Sequence, residues 1–370
     1  MGPLAGVKVV EVGGLGPGPF AGMLLADLGA EVVVAHRQGQ PPGGFGPLDR
    51  GKRFVGVDLK DPDGLEVLLR LADGADVLVE PFRPGVAARL GFGPEVACAR
   101  NPGLVYVHLT GYGQDGPLAS AAGHDIDYLA VSGTLDPLGR AGGPPTPPIN
   151  VLGDFAGGGA FAVIGVLAAL HERASSGRGQ VIDAAMVDGA AVLLAPFFTG
   201  RIGGGWGPRG TNMLDGAAPF YDSYRCADDA WLAIGALEPQ FYVALLRGLG
   251  LDDEDPADQH DQSRWPALRE RIATVVATRT RDEWVEAFAD LDACVAPVLT
   301  PAEAAAHPHA VARAAFRTDA GGTPEPAPAP RFSRTPAEVG SPTPGPAAAL
   351  AAFGIPTDEA AALVDAGTVT

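Results

Sequence analysis

The sequence is poor in cysteine and in basic residues, and both shortages exclude classes of protein. Its 370 residues include three cysteines, Cys98, Cys226 and Cys294, with no CxxC pair. We therefore expect a reducing compartment, with neither a disulfide framework nor a zinc site. Lysine and arginine number 26 against 44 aspartates and glutamates, for a net charge of −18. This balance disfavours general binding to nucleic acid or to an anionic membrane.

Targeting and membrane-spanning patterns are also absent from the sequence. The first residues, MGPLAGVKVVEVGG, lack the charged and then apolar pattern of a signal peptide. The longest apolar stretch, Ala156–Leu170, is shorter than the ~20 residues that a membrane span needs. The expectation is a cytoplasmic protein without a membrane partner.

What the sequence does contain is an alternation of strand and helix patterns. Hydrophobic residues make up 46%, and a chain of this length is expected to form two domains. The β-branched run Val7–Val12 is followed by the glycine-rich loop Gly13–Gly22, a helical segment and the strand pattern Glu31–Arg37. The alternation continues to Thr110. It predicts an α/β domain with a parallel sheet and right-handed crossovers.

Beyond residue 200 the patterns are weaker. A glycine-rich stretch after Gly200 predicts a linker, and the strand pattern Ala230–Leu237 opens a second α/β-like unit. Two proline-dense segments, Thr323–Pro330 and Ser341–Pro346, predict irregular structure, and a short helix is expected at Thr357–Ala366.

The first glycine loop allows a dinucleotide interpretation. Residues Gly16–Ala21 fit GxGxxA between a strand and a helix. The next strand ends in His36 and Arg37 rather than an acid, which would favour NADP over NAD. Two prolines stand where backbone N–H groups would bind a pyrophosphate. A simple turn that packs the strand on the helix explains the loop equally well.

Basic residues cluster in the first domain despite the acidic composition. Arginine suits bidentate phosphate contacts, and several of these residues follow strand ends, where α/β sheets bind ligands. The cluster predicts a phosphorylated ligand, although any one member could be a solvated surface charge. Its members are Arg37, Arg50, Lys52, Arg53, Lys60 and Arg83.

Two motifs carry titratable side chains immediately before helical segments. They are GHDIDY at Gly123–Tyr128 and GDFAGGG at Gly153–Gly159. Asp125 and Asp154 could be helix caps, and His124 could be a buried interfacial histidine. The residues alone indicate an α/β protein with a phosphate ligand and a candidate His/Asp site.

Many motifs in one order reveal a family resemblance. The chain resembles the α-methylacyl-CoA racemases, a branch of the class III coenzyme A transferase superfamily. The matching segments are VVEVGGLGPGPFAGMLLADLGAEVV, RGKRFVGVDLK, EPFRPGV, LTGYGQDGP, AGHDIDYLAVSG, GDFAGGG, GRGQVIDAAMVDG, RGTNMLDGAAPFYDSY, GALEPQFY and APRFSRTP.

The resemblance implies a set of functional residues. His124 and Asp154 would be the two bases that move a proton next to a thioester, with Glu238 orienting His124 and Asn150 nearby. The substrate would be an acyl-CoA thioester, with no metal and no redox cofactor. The implied substrate and coenzyme A contacts are Arg37, Arg53, Gly56, Val57, Asp58, Leu59, Arg83, Gly123, Asp125, Ile126, Asp127 and Tyr128.

The resemblance also implies an interlocked homodimer. A Rossmann-like large domain would comprise residues 1–200 and 320–370, a linker 201–222, and a smaller α/β domain 223–319. The active site would lie between the large domain of one subunit and the small domain of the other.

Two alternatives and two departures from the family pattern remain. A coenzyme A transferase would use Asp154 as a nucleophile, but such enzymes commonly have an aromatic residue at His124 and glutamine at Leu129. A silent acyl-CoA binder would not need His124, Asp154 and Glu238 together. Asp127 replaces the usual asparagine, and Val34 replaces an arginine often found there.

Overall fold

The chain folds into two compact units. The computed structural model describes residues 2–41, 43–198, 205–319, 321–340 and 345–370. The first unit comprises Met1–Thr134, Pro148–Leu194 and Ala327–Thr370, and the second comprises Leu135–Pro147 and Ala195–Pro326.

The first unit contains a six-stranded sheet in which all neighbouring strands are parallel. Its strands are β1 (Lys8–Val12), β2 (Glu31–Arg37), β3 (Lys52–Val57), β4 (Val77–Glu80), β5 (Val105–Thr110) and β6 (Val181–Ala185). Their order is β3-β2-β1-β4-β5-β6, which is the Rossmann order. The expected α/β fold is confirmed. Because the order reverses between β1 and β4, the loops after these strands border the place where such sheets bind ligands.

Helices cover both faces of this sheet and recur in the second unit. In chain order over both units they are α1 (Pro17–Asp27), α2 (Pro62–Asp73), α3 (Val86–Leu90), α4 (Pro94–Arg100), α5 (Asp125–Ser132), α6 (Phe161–Ser176), α7 (Met186–Leu193), α8 (Ala195–Phe198), α9 (Pro239–Leu249), α10 (Trp265–Val276), α11 (Arg281–Ala287), α12 (Pro301–Ala306), α13 (Pro308–Ala312), α14 (Pro346–Ala352) and α15 (Thr357–Asp365). A π-helix, Val151–Ala160, precedes α6 directly.

The prolines of the first glycine loop belong to a helix. Pro17 and Pro19 lie in the first turn of α1, where backbone N–H groups have no partner within the helix. The loop therefore delivers the chain from β1 into α1 with few free N–H donors. This arrangement favours the simple turn over a pyrophosphate-binding loop.

One continuous helical stretch, Val151–Ser176, is long and apolar enough to cross a membrane by length and composition. It is longer than the apolar stretch Ala156–Leu170 because the π-helix and α6 join without a break. In the structure, Ala162, Val163 and Val166 on α6 pack in the same cluster as sheet residues. This face of the helix therefore contributes to the core of the first unit.

The C-terminal segment returns to the first unit. Helices α14 and α15 contribute Leu350 and Ala360, respectively, to its core, and Thr370 exchanges backbone hydrogen bonds with Gly56 at 2.7 and 3.0 Å. These contacts attach the end of the chain to the edge strand β3.

The second unit is built on an antiparallel sheet of β7 (Tyr221–Arg225), β8 (Trp231–Gly235) and β9 (Val295–Val298). Its boundaries differ from the expected domain limits. Ala218 and Phe220 of the expected linker 201–222 are fully buried in its core, and residues 201–204 lie outside the described ranges. The burial of these apolar side chains makes the segment part of the second unit. The high glycine content of the sequence had indicated a linker instead.

Two further segments depart from the prediction. Residues 135–147 belong to the second unit, where Arg209 donates to Asp136 and to the carbonyl of Gly143. The proline-rich segment after Thr323 forms β11 (Pro324–Pro326), which pairs with β10 (Phe316–Thr318). Strands at a sheet edge tolerate proline because their outer N–H groups need no partner.

A buried ion pair lies beneath α1. Lys52 on β3 is 1% exposed, and its Nζ donates to Glu11 Oε2 at 2.7 Å and to the Pro19 carbonyl at 2.8 Å. Burial raises the pKa of the Glu11 carboxyl, and the Lys52 ammonium opposes that shift. The predicted phosphate-binding role of Lys52 is wrong, because its donors serve Glu11 and the first turn of α1.

We predict that Lys52→Met destabilises the protein by about 3–5 kcal/mol at neutral pH, because it leaves a buried carboxylate without its cation. The pKa of Glu11 in the folded state should then rise further, so that protonation restores part of the stability as the pH falls. Thermal unfolding at neutral pH and at about pH 5 measures both effects. Lys60→Met, at an exposed cation, is the control. An equal loss at both pH values would contradict the assignment.

Candidate active site

A cavity of about 440 Å³ opens at the carboxyl ends of β1, β4 and β5, where the strand order reverses. We call it the central cavity. The loops after the three strands supply most of its wall, and α5, the π-helix and α7 supply the rest. Its lining includes Gly13, Gly14, Leu15, Gly16, Pro81, Phe82, Arg83, Thr110, Gly111, Tyr112, Gly123, His124, Tyr128, Asp154 and Met186.

His124 reaches this cavity from the N-terminus of α5. It is exposed, has extended backbone geometry, and immediately precedes the helix. Its backbone N–H donates to Asp127 Oδ2 at 3.0 Å, so Asp127 caps the helix from its third position. Asp127 thus acts as a local cap, and the substrate contact expected there stays a prediction.

Asp154 reaches the same cavity from the π-helix. Its carboxyl is half-buried, and Oδ2 accepts a hydrogen bond from Asn150 Nδ2 at 3.2 Å. Burial raises the pKa of Asp154, the Asn150 hydrogen bond lowers it, Asp125 raises it and the nearby His124 lowers it. The structure therefore brings His124 and Asp154 together, within electrostatic range of each other.

Glycines on two sides allow this position of Asp154. A Cβ at Gly16, whose φ is 64°, would lie 2.6 Å from Asp154 Oδ2, and one at Gly153 would lie 2.5 Å from Asp125 Oδ1. Asp125 Oδ1 in turn accepts the backbone N–H of Asp154 at 2.7 Å. This bond joins α5 to the π-helix, and Asp125 is 8% exposed. Asp125 is not part of the cavity lining, although a substrate contact was predicted there.

The three glycines after Asp154 have a packing reason. A Cβ at Gly157 would meet backbone atoms of Met186 and Ala190, and a Cβ at Gly159 would meet the Pro17 carbonyl at 2.9 Å. The π-helix therefore packs directly on the backbones of α1 and α7. π-Helical turns are frequent at functional sites, but the sequence carried no recognisable signal of one here.

Two tyrosines form one wall of the central cavity. Tyr128 donates its hydroxyl to the Gly123 carbonyl, and its ring meets Tyr112 edge-on at a centroid distance of 5.0 Å. Burial and neighbouring acidic groups raise the pKa of Tyr128 to about 12, so the phenol stays protonated at neutral pH. Tyr112 and Met186 were missed, although Tyr112 lies in the quoted motif LTGYGQDGP.

A second cavity of about 610 Å³, the outer cavity, adjoins the carboxyl ends of β2 and β3. Gly13 and Phe82 border both cavities. Burial lowers the pKa of His36, which favours its neutral form. The outer cavity brings together four predicted coenzyme A contacts, which are Arg37, Val57, Asp58 and Leu59, and adds His36, Gln38 and Lys60.

Three predicted contacts lie elsewhere. Arg53 is near the amino end of β3, roughly 13 Å along the strand from Val57, and pairs with Glu31 at 3.2 Å. Gly56 has its backbone bonded to Thr370. Ile126 is exposed on α5 and is not part of either cavity lining.

The basic cluster divides into two groups. Arg50 pairs with Asp27 and Lys52 with Glu11, both in buried positions, and Arg53 pairs with Glu31, so these three cations serve contacts within the fold. Arg37, Lys60 and Arg83 line the cavities instead. Among the described residues, none of these three forms an ion pair with a carboxylate. The two groups differ in whether the cation pairs with a carboxylate of the folded chain. The sequence cannot show this, because the paired residues are far apart in the chain.

Two remaining observations concern the second unit and metals. Glu238 directly precedes α9 in the second unit, where its charge contributes to the raised pKa of Cys294. The orienting role of Glu238 toward His124 stays a prediction. In the ranges that the structure describes, no cluster of His, Cys, Asp and Glu is arranged to hold a metal ion.

Comparisons with known proteins agree with this geometry. A sequence profile for CoA-transferase family III matches residues 4–348. The chain is 51% identical to alpha-methylacyl-CoA racemase from Mus musculus and 47% identical to that from Homo sapiens, each over 90% of this chain and 87% of the relative. Its fold is similar to that of a CAIB/BAIF family protein from Brucella suis, with a TM-score of 0.79, 27% identity and coverage of 99% of both chains.

We predict that Asn150→Leu raises the pKa of Asp154, because it removes a hydrogen bond that stabilises the charged carboxylate. The carboxyl carbon of Asp154, followed by NMR in protein with labelled aspartate and assigned with Asp154→Asn, should titrate at a higher pH than in the unmodified protein. Val151→Leu, a neighbouring exposed position, is the control. A lower or unchanged titration midpoint would show that Asn150 does not stabilise the charge.

Proposed function

This chain belongs to CoA-transferase family III, and we propose that it is an acyl-CoA racemase. It would interconvert (R)- and (S)-2-methylacyl-CoA by removing and returning the proton next to the thioester carbonyl. The observation that carries the proposal is the shared cavity of His124 and Asp154, adjoining a second cavity with free cationic groups.

The chemistry needs two proton-transfer groups and no other reactant. One group takes the α-proton, and the electron pair of the C–H bond moves to the carbonyl oxygen to give an enolate. The other group, in its protonated form, returns a proton to the opposite face. A neutral imidazole at His124 and a carboxyl at Asp154 can exchange these roles according to the hand of the substrate. The raised pKa of Asp154 suits it to carry a proton closer to neutral pH.

The enolate oxygen would be stabilised by the N-terminus of α5. The helix begins at Asp125 beside His124, and backbone N–H groups and the helix dipole there favour negative charge. Because this turn is capped by Asp127 and tied to the π-helix through Asp125, its position relative to both bases is fixed before substrate binds.

Coenzyme A would extend from the central cavity into the outer cavity. Its phosphate groups are suited to Arg37 and Lys60, which lack carboxylate partners among the described residues, since arginine binds phosphate bidentately. The part of coenzyme A that links the thioester to the nucleotide would pass between Gly13 and Phe82, which border both cavities. No metal or redox group has a step in this scheme.

We also propose a homodimer. The first unit exposes large apolar side chains that a monomer would leave in water, and a second copy of the chain would cover them. In that dimer the partner subunit's Glu238 would orient His124. The exposed residues include Ile126, Val131, Ile149, Val151, Ile164, Leu167, Val181 and Val192.

A coenzyme A transferase is the second candidate, because Asp154 could act as a nucleophile in the same cavity. His124 beside Asp154 favours the racemase, since a transferase that works through an acyl anhydride does not need a second base. The two reactions differ in their requirement for an acceptor carboxylate.

We expect the protein to exchange the α-hydrogen of 2-methylacyl-CoA with heavy water, in both enantiomers and without an acceptor acid. His124→Ala and Asp154→Asn should each lower racemisation by about 10²–10⁴-fold. Each variant should retain exchange with one enantiomer, and the two enantiomers should differ, because each base faces one side of the enolate. Mass spectrometry of the recovered ester measures this.

A requirement for an added carboxylate, with no loss of the α-hydrogen, would favour the transferase. If both variants keep exchange with the same enantiomer, the assignment of one base to each face is wrong.

Arg37→Ala should weaken binding of the coenzyme A ester about tenfold or more, as expected for one charged hydrogen bond. It should weaken the ester that lacks the 3′-phosphate much less, because we place Arg37 near that phosphate. Isothermal titration with both esters makes the comparison. Arg53→Ala is the matched control and should leave both affinities nearly unchanged, since Arg53 pairs with Glu31 away from the cavity. Equal losses for both esters with Arg37→Ala would exclude the 3′-phosphate contact.

A further inference from the structure

A buried polar pair lies directly behind the segment that separates the two cavities. Glu80, the last residue of β4, lies opposite His108 on β5. Glu80 is 1% exposed and His108 is 8% exposed. His108 Nδ1 and Glu80 Oε1 share a hydrogen bond. Both side chains are therefore held in the interior, between two buried strands.

The second oxygen of Glu80 binds the backbone of the cavity wall. Oε2 accepts the Phe82 N–H at 2.7 Å, and the structure describes no other acceptor for that donor. Phe82 borders both cavities, and Arg83 lines the central one. The pair therefore fixes the backbone at the passage between the cavities.

Neighbouring contacts limit other positions of this segment. The Phe82 ring meets Phe92 edge-on with centroids 6.1 Å apart, and the Pro81 ring lies so close to Gly14 that a Cβ there would be 2.7 Å from Pro81 Cγ. The segment is thus held by its ring contacts and by one carboxylate. His108 in turn is held by the Tyr106 ring, at a centroid distance of 4.9 Å.

Sheet stability alone does not explain this pair. Replacing a buried polar pair by apolar side chains of similar size is often neutral or stabilising, and the neighbouring strand residues, Val79 and Val107, are buried and apolar. What an apolar pair could not do is accept the Phe82 N–H. The hydrogen bond to Phe82 is therefore the feature that requires Glu80.

We propose that Glu80, oriented by His108, is a positioning residue for the coenzyme A moiety of the substrate. This inference rests on the proposed function. Glu80 holds Phe82 and Arg83 where the ester passes between the cavities, and it takes no part in proton transfer. Loss of its hydrogen bond should therefore affect binding of the coenzyme and not the chemical step.

The test compares Glu80→Leu with Glu80→Gln. Leucine removes the acceptor for Phe82, whereas glutamine can accept that N–H with its amide oxygen and donate to His108 with its amide nitrogen. We expect Glu80→Leu to raise KM for 2-methylacyl-CoA about tenfold, the effect of one hydrogen bond, with kcat nearly unchanged. Glu80→Gln should remain close to the unmodified enzyme.

A truncated substrate separates positioning from general damage to the fold. The N-acetylcysteamine thioester of the same acyl group lacks the nucleotide and most of the linking chain, so its kcat/KM should be unaffected by Glu80→Leu. Should Glu80→Leu fail to fold, the double variant Glu80→Leu/His108→Leu removes both polar groups together and leaves neither unpaired. It should show the same selective rise in KM.

Equal losses with both thioesters, or a loss in Glu80→Gln as large as in Glu80→Leu, would overturn the inference. Isothermal titration of the coenzyme A ester into the same proteins decides the matter independently of turnover. If the unmodified protein exchanges no α-hydrogen, the proposed function fails. The inference is then tested by binding alone. It requires that Glu80→Leu weakens binding of the coenzyme A ester about tenfold and that Glu80→Gln does not.

Discussion

The hydrogen bond from the backbone N–H of Asp154 to the carboxylate of Asp125 joins two elements that are separate in the chain. Asp125 begins α5, directly after His124, and Asp154 lies in the π-helix. Because the bond ties these two elements together, both candidate bases face one cavity with little freedom to move apart. Gly153 and Gly16 leave the space that this arrangement needs. The proposed enolate site and the relative positions of the two candidate bases depend on this junction, and Asp125 adds to the effect of burial in raising the pKa of Asp154.

Buried charges set the loops around that junction. Lys52 with Glu11 holds the first turn of α1, Arg50 with Asp27 holds its last turn, and Glu80 with His108 holds the segment after β4. Each pair has at least one member at a strand or helix end, where the chain turns toward the cavities. An acidic protein thus uses some of its few cations inside the fold and leaves others free at the ligand side. This division reconciles a net charge of −18 with the proposed site for a phosphorylated ligand.

Much of the first unit was predictable because its signals are local. The run Val7–Val12 and the strand pattern Glu31–Arg37 bury β-branched side chains on both faces, as strands of a parallel sheet do. The placement of Arg37 at a strand end followed from the same pattern. The linker prediction at 201–222 was misleading, because its glycine content outweighed the burial of Phe220. The apolar stretch Ala156–Leu170 did not reveal the full helix Val151–Ser176, because the π-helix has no sequence signature.

The sequence by itself determined the parallel α/β architecture, since strand and helix periodicities are properties of neighbouring residues. It also identified, through the family resemblance, His124 and Asp154 as the candidate bases. Only the tertiary structure decided which cations line the cavities, and that Asp125 and Asp127 make hydrogen bonds that fix the start of α5 and its junction with the π-helix. It also placed Glu80 and His108 behind the cavity wall. Those outcomes depend on contacts between residues far apart in the chain, and on the desolvation that burial imposes on each charge.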